Sequence, residues 1–157
     1  ELGVIRIVPF HSVRSVPRLS ADRRAEKVSR WRKIAIEAAR QSGRVDIPEI
    51  GPCVDFREML QSAPPGSLKI IFWEEEPRLG IRKALRTDTP DAAENIVVAV
   101  GPEGGFSKEE VGLAVEAGFR SVSLGRRILR VETAVVAILS IIQYEMGSLR
   151  DPEDREA

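Results

Sequence analysis

Two loops in the C-terminal part of the chain carry the residues that could do chemistry. The first, Gly101-Pro102-Glu103-Gly104-Gly105-Phe106, follows an apolar run, Ile96 to Val100. Three glycines in five positions let a backbone approach a ligand closely and take positive φ. A tight strand-to-helix turn needs one glycine or two, not three plus Pro102. The spacing is neither the dinucleotide fingerprint nor a Walker loop, since no Gly-Lys-Ser/Thr follows. A nicotinamide or nucleoside-triphosphate site is therefore not indicated. The second loop, Gly125-Arg126-Arg127-Ile128-Leu129-Arg130, sets three arginines around an apolar pair. Solvated arginines are the ordinary reading of such a run. Burial of Ile128 and Leu129 would instead fold the loop back, line a pocket with amides and aim arginines at a polyanion. Glu132 and Thr133 open the next helix, where Glu132 either complements the helix dipole or takes part in catalysis.

These loops need elements to hold them. Ile96–Val100 reads as a buried strand, and Ser107 with Glu110 forms a capping box for a helix that Gly118 ends. A short strand, Ser121–Leu124, precedes the arginine loop. Leu68–Trp73 is a third strand and runs into Glu74-Glu75-Glu76. These carboxylates could ligate a metal, but adjacent strand residues alternate faces, so a solvated loop is the better reading and no metal is expected. Upstream, Val4–Val8 reads as a mostly buried strand closed by Pro9. A loop over Phe10–Ala21 follows, with His11 as a loop residue. Asp22 caps a helix to Gln41, with Val28, Trp31, Ala35, Ala38 and Ala39 on one face. Gly43 suits the position just past its end. Gln41-Ser42-Gly43-Arg44 is then a polar turn, either a helix cap with a solvated arginine or a functional one. A strand at Glu49–Ile50, a helix from Asp55 to Gln61, a helix over Leu79–Arg86 and a polar connection over Thr87–Asn95 complete the pattern. Strand and helix alternate with short links, which predicts an α/β domain with a mostly parallel sheet flanked by helices. Both loops would leave its carboxyl edge, where ligands bind in open α/β sheets.

The final helix, through Ala134–Tyr144, is apolar nearly all round. A surface helix needs one apolar stripe, so burial on several sides is expected, in part through a homodimer interface. The 157 residues fit one domain, over 1–149, with a charged, frayed tail over 150–157. Lys plus Arg and Asp plus Glu balance at 24 each. Any nucleic-acid contact must therefore come from a local patch or from something absent from this sequence. The lone Cys53 excludes an internal disulfide, and the lone histidine excludes histidine-pair metal motifs. No apolar run nears the ~20 residues of a membrane span. The chain opens at Glu1 without an initiator Met, which suggests a fragment lacking an N-terminal part.

Three spaced stretches carry a resemblance. Gly101-Pro102-Glu103-Gly104-Gly105-Phe106-Ser107 is one, and Leu124-Gly125-x-Arg127-Ile128-Leu129-Arg130-x-Glu132-Thr133-Ala134 is another. Glu37-Ala38-Ala39-x-Gln41-Ser42-Gly43-Arg44 is the third. Together they resemble the RsmE-type family of small-subunit ribosomal RNA uridine-N3 methyltransferases, in the SPOUT superfamily. The resemblance spans Glu1 to Gln143. It implies a C-terminal trefoil knot, which periodicity could not reveal, together with a homodimer and a cytoplasmic enzyme. It also implies S-adenosyl-L-methionine held by three loops. These correspond to Phe72, Trp73 and Glu74; to Val100, Gly101, Pro102, Glu103, Gly104 and Gly105; and to Leu124, Gly125, Ile128, Leu129, Arg130 and Thr133. Family members carry an N-terminal PUA-like barrel that this sequence lacks, and Val131 stands where many have Thr.

Methylating a uracil nitrogen requires orienting donor and acceptor and managing loss of the N3 proton. Arg44, Arg127 and Arg130 are candidates for binding phosphate or stabilising developing negative charge. Glu103 or Glu132 could be the base, and each equally suits a loop-bracing or helix-terminal role. A SPOUT methyltransferase for another RNA position or a ribose 2′-oxygen is the rival among enzymes. A non-catalytic RNA-binding or ribosome-assembly factor is the rival outside them.

Overall fold

The computed structural model describes residues 1–15, 20–86 and 95–146. Along them run β1 (Arg6–Ile7), β2 (Phe10–His11), α1 (Ala21–Gln41), β3 (Glu49–Ile50), β4 (Val54–Asp55) and α2 (Phe56–Gln61). Then come β5 (Leu68–Phe72), α3 (Ile81–Arg86), β6 (Ile96–Val100), α4 (Lys108–Glu116), β7 (Arg120–Val122) and α5 (Val131–Met146). The expected tail over 150–157 lies outside the described residues. So does the connection over Thr87–Asn95, save Asn95, and so do residues 16–19 of the expected loop.

β5 is the axis of the sheet. β6 pairs with it along Leu68–Phe72, and β7 pairs on its other side along Ile70–Phe72, both parallel. The expected parallel sheet is present, in the order β6-β5-β7. Strand side chains alternate faces. Leu68, Ile70 and Phe72 therefore pack with Ala84 and Leu85 of α3 and Ala134 and Ile138 of α5. Ile71 enters the opposite layer with Met59 and Leu60 of α2 and Val111 and Ala114 of α4. Cover on both faces explains why β5 and β6 read as nearly unbroken apolar runs. Beyond β7 the chain continues beside the β5–α3 connection. Trp73 N–H donates to the Val122 carbonyl (3.0 Å), and Ser123 N–H to that of Leu79 (2.8 Å).

The N-terminal segment departs from the sequence reading. In place of a buried strand over Val4–Val8, β1 has two residues, both exposed. It pairs with the equally short β3, so the strand meets too little of the core to be buried. β2, inside the expected loop, pairs with β4, and its Phe10 ring lies 5.9 Å from that of Phe56 and 6.2 Å from that of Phe106. α1 starts after Ser20, which leaves Asp22 in the first turn, where its charge suits the dipole. Its end is as expected. Gly43 has φ +69°, and N–H groups of Gly43 and Arg44 close onto carbonyls of Arg40 (3.2 Å) and Ala39 (3.0 Å), a Schellman ending. Of its apolar face, Val28 and Ala39 are buried, but Trp31 is 36% exposed and Ile34 55%. α5 likewise has only Ala134 and Ile138 buried, with Val136 and Tyr144 open. Burial on several sides is not achieved within one chain, because the sheet covers a single side of the helix. Among the described residues no helix is long and apolar enough to cross a membrane.

One carboxylate joins the N-terminal segment to the sheet. Glu110, 3% exposed, accepts from Ser107 N–H at 2.9 Å while Glu110 N–H donates to Ser107 Oγ at 3.2 Å, the expected capping box. Its other oxygen accepts from Val13 N–H at 2.8 Å. Removing this side chain strands two donors, and hydrogen bonds to charged groups contribute about 1.5–3 kcal/mol each. Glu110→Ala should therefore lose roughly 3–6 kcal/mol in urea denaturation, with Glu110→Gln losing less. Equal stability of Glu110→Ala and the parent would refute the tether.

Candidate active site

Parallel strands end together. Phe72, Val100 and Val122 close β5, β6 and β7 at one edge of the sheet, and the loops that leave them enclose a cavity of about 360 Å³. That is within the ~300–1,000 Å³ common for small-molecule sites. Phe72, Trp73 and Glu74 line it from the β5 end; Val100, Gly101, Pro102, Glu103 and Gly105 line it from the glycine loop. Leu124, Gly125, Ile128, Leu129 and Arg130 come from the arginine loop. Two further grooves touch none of these loops: one of about 420 Å³ between the N-terminal segment, β6 and α5, and one of about 510 Å³ between the N-terminal segment and the face of α1 that carries Trp31 and Ala35.

The glycine loop is shaped at both ends. Phe106 is buried against Phe10 and Phe56, the latter at 5.7 Å between ring centroids. Gly105 N–H closes a turn onto the Pro102 carbonyl at 2.8 Å. Gly105 has φ +67°, and a Cβ there would collide with the Glu74 carboxylate. Gly101 is tight as well, since its Cβ would come within 3.2 Å of the Phe106 ring. Gly104 does not line the cavity. It faces Arg14, whose Nη1 donates to the Gly104 carbonyl at 2.7 Å. Arg14, which the sequence reading passed over, thus braces the loop from behind.

In the arginine loop the expected burial holds for one residue of the pair. Leu129 packs against the α3–α5 layer, while Ile128 is 87% exposed. It sits at the rim, where a single chain offers nothing to cover it. A tight turn in which Gly125 N–H donates to Ser123 Oγ at 3.1 Å starts the loop. The Arg130 carbonyl, accepting from Ala134 N–H at 2.8 Å, starts α5. Ser123, Arg126, Arg127, Val131 and Ala134 also line the cavity. Arg126 and Arg127 belong to the arginine loop itself, and Arg127 is already a candidate from the sequence; Ser123, Val131 and Ala134 flank that loop, which is the signal that could have included them. Glu132 and Thr133, in the exposed first turn of α5, do not line it. Arg44 lies apart, at the end of α1, where its Nη1 donates to the Val4 carbonyl at 3.0 Å.

The three consecutive carboxylates diverge. Glu74 lies over Gly105, Glu75 faces Lys108 at 3.7 Å, and Glu76 accepts from the N–H groups of Arg78 (2.9 Å) and Leu79 (3.3 Å). Among the described residues no group of His, Cys, Asp and Glu is arranged to hold a metal. Burial pushes the Cys53 thiol up, which suits an inert side chain.

Residues 1–143 match the RNA methyltransferase domain family. The chain belongs to that family. It is 36% identical over 140 residues to ribosomal RNA small subunit methyltransferase E of Mesomycoplasma hyopneumoniae, covering 89% of this chain and 58% of that protein. To the Bacillus subtilis protein of the same name it is 35% identical over 153 residues, covering 96% and 59%. A crystal structure of the Neisseria gonorrhoeae protein of that name, bound to S-adenosyl methionine, superposes with a TM-score of 0.79 at 37% identity, covering 90% of this chain and 55% of that one. The chain thus spans under two thirds of the length of the relatives it matches. The match supports the parallel α/β architecture read from the sequence.

Two outcomes follow for this member of the RNA methyltransferase family. Gly105→Ala would hold an alanine at φ +67° while the flexible end of Glu74 swings aside, so it should cost about 1 kcal/mol in denaturation; unchanged stability would mean the loop is not so constrained. Glu76 titrates below the ordinary carboxylate range. Burial pushes it up, but the N–H groups of Arg78 and Leu79 and the Arg78 charge outweigh that. A depressed folded pKa adds stability above the unfolded pKa, which is lost as pH falls through the folded one. Glu76→Gln should therefore melt below the parent at neutral pH, and the gap should close on acidification. A gap independent of pH would contradict this.

Proposed function

We propose that this family member is an S-adenosylmethionine-dependent methyltransferase acting on N3 of a uridine in small-subunit ribosomal RNA. The observation that carries the reading is the convergence of all three loops on one cavity, at the edge where α/β sheets bind ligands. The residues present fit the cofactor. Apolar Phe72, Val100, Leu124 and Leu129 offer walls to an adenosyl group, and the glycine loop offers backbone at close range. Trp73 also lines the cavity, and its buried indole N–H has no acceptor among the described residues. Neighbours with S-adenosylmethionine bound support the same assignment.

The cofactor supplies an electrophilic methyl group; the chain supplies position and charge. Arg127 and Arg130, at the cavity, would hold phosphate or stabilise the negative charge that develops on uracil as N3 loses its proton. Glu103 lines the cavity and Glu132 does not, so Glu103 is the better placed base. Arg44, remote within one chain, could act only from a second copy. A homodimer is supported by the apolar residues that one chain leaves open, Ile128, Val136 and Tyr144. A C-terminal trefoil knot is supported by the segment Val122–Ser123 lying hydrogen-bonded between Trp73 and Leu79–Ile81. A ribosomal substrate makes the cytoplasm the site of action, and no metal is invoked.

The test combines calorimetric titration with S-adenosylmethionine and mass-spectrometric mapping of methylated small-subunit ribosomal RNA. Saturable cofactor binding and a product carrying N3-methyluridine are expected. Glu103→Gln should lower turnover by about 10²–10⁴ and leave cofactor binding intact, while Glu132→Gln keeps most activity. The reverse pattern would exchange the two roles, and a folded protein that binds no cofactor would refute the reading.

A further inference from the structure

The chain is neutral overall, yet its charge is unevenly distributed. Between Asp22 and Lys33 there are six basic residues against two acidic ones, all within α1. Arg23, Lys27 and Arg30 recur at i, i+4 and i+7, so they stack on one face, and all three are exposed. None has an ion-pair partner among the described residues. The neighbouring Arg32, also exposed, differs in donating to the Ile50 carbonyl at 3.1 Å. Beside the stripe is Trp31, more than a third exposed. Unpaired cations with an adjacent open aromatic are the components of a single-strand nucleic-acid surface, in which the cations follow phosphates and the ring stacks on a base.

The position suits this use. Residues 13–14 are bonded to the glycine loop and to the helix it feeds, through Arg14 to Gly104 and Val13 to Glu110. Five Cα steps separate Ser15 from Ser20 at the start of α1, which can span at most about 18 Å. The basic turns therefore begin within about 18 Å of the segment that braces the glycine loop from the side opposite the cavity. An RNA strand delivering one base to the cavity could lay its flanking phosphates along them.

We propose that the Arg23–Lys27–Arg30 face of α1, with Trp31 beside it, is a docking surface for the single-stranded RNA that flanks the target base. The proposal rests on the RNA substrate inferred above. Its test is fluorescence anisotropy of a labelled single-stranded fragment of small-subunit ribosomal RNA, titrated with the whole chain across a range of salt concentrations. For single strands log K falls with log salt by about 0.7 per phosphate contact. The triple variant Arg23→Ala/Lys27→Ala/Arg30→Ala should therefore flatten the slope by about 2 and weaken binding on the order of 100-fold near 0.1 M salt. Trp31→Ala should weaken binding about tenfold with the slope unchanged. A control of equal charge elsewhere, Arg57→Ala/Arg82→Ala/Lys83→Ala, should stay within about twofold of the parent, and all variants should bind S-adenosylmethionine alike. A stripe variant that matches the parent, or loses no more than the control, overturns the proposal while leaving the substrate reading intact. Parent protein that binds cofactor but not RNA overturns both. Stripe-dependent binding to phosphatidylserine vesicles, with RNA binding untouched, would reassign the face to a membrane and overturn it as well.

Discussion

The burial of Phe106 is the contact on which the site depends. A loop of three glycines and a proline has little apolar surface of its own to hold it in place. It is fixed because its last residue is driven into the core between Phe10 and Phe56, and because Glu110, one turn later, caps the helix that follows. With that end secured, Gly105 can pass over the Glu74 carboxylate in a backbone conformation costly for any other residue. A cavity lined largely by backbone is preorganised only when its supports are rigid. Here the supports are the three-stranded sheet below and the aromatic cluster beside it.

The same contacts explain how distant segments act as one site. Glu110 belongs to α4, yet its second oxygen holds Val13, and Arg14 beside it holds the Gly104 carbonyl. The N-terminal segment is thin, exposed along β1 and half-buried along β2, with two-residue strands in place of a full one. It is nevertheless attached at the place where the cavity takes its shape. Two sides of the molecule remain partly apolar and open, along α1 and along α5. The three-stranded sheet covers α5 from one side, and α1 rests only on the short β1–β3 pair.

Much of this was legible in order along the chain. β5 and β6 announced themselves as apolar runs, the capping box marked the start of α4, and Gly43 and Gly118 marked two helix ends. These are local signals, set by strand alternation and by hydrogen bonds a few residues apart. β2 was not legible, because it exists through pairing with β4, more than forty residues away. The exposure of Ile128 is not legible for a related reason: type and spacing do not say which of two neighbouring apolar residues meets the core.

What the sequence alone determined was the kind of fold, the two loops that matter and the edge from which they leave. Their residue types settle backbone freedom and charge before any folding. Tertiary structure alone decided which glycine serves the cavity and which serves Arg14, and that Glu103 lies within it while Glu132 and Arg44 do not. These distinctions are between residues of like chemistry at neighbouring or remote positions. Only packing of β5, β6 and β7 into one sheet, with Phe106 drawn into the core, tells them apart.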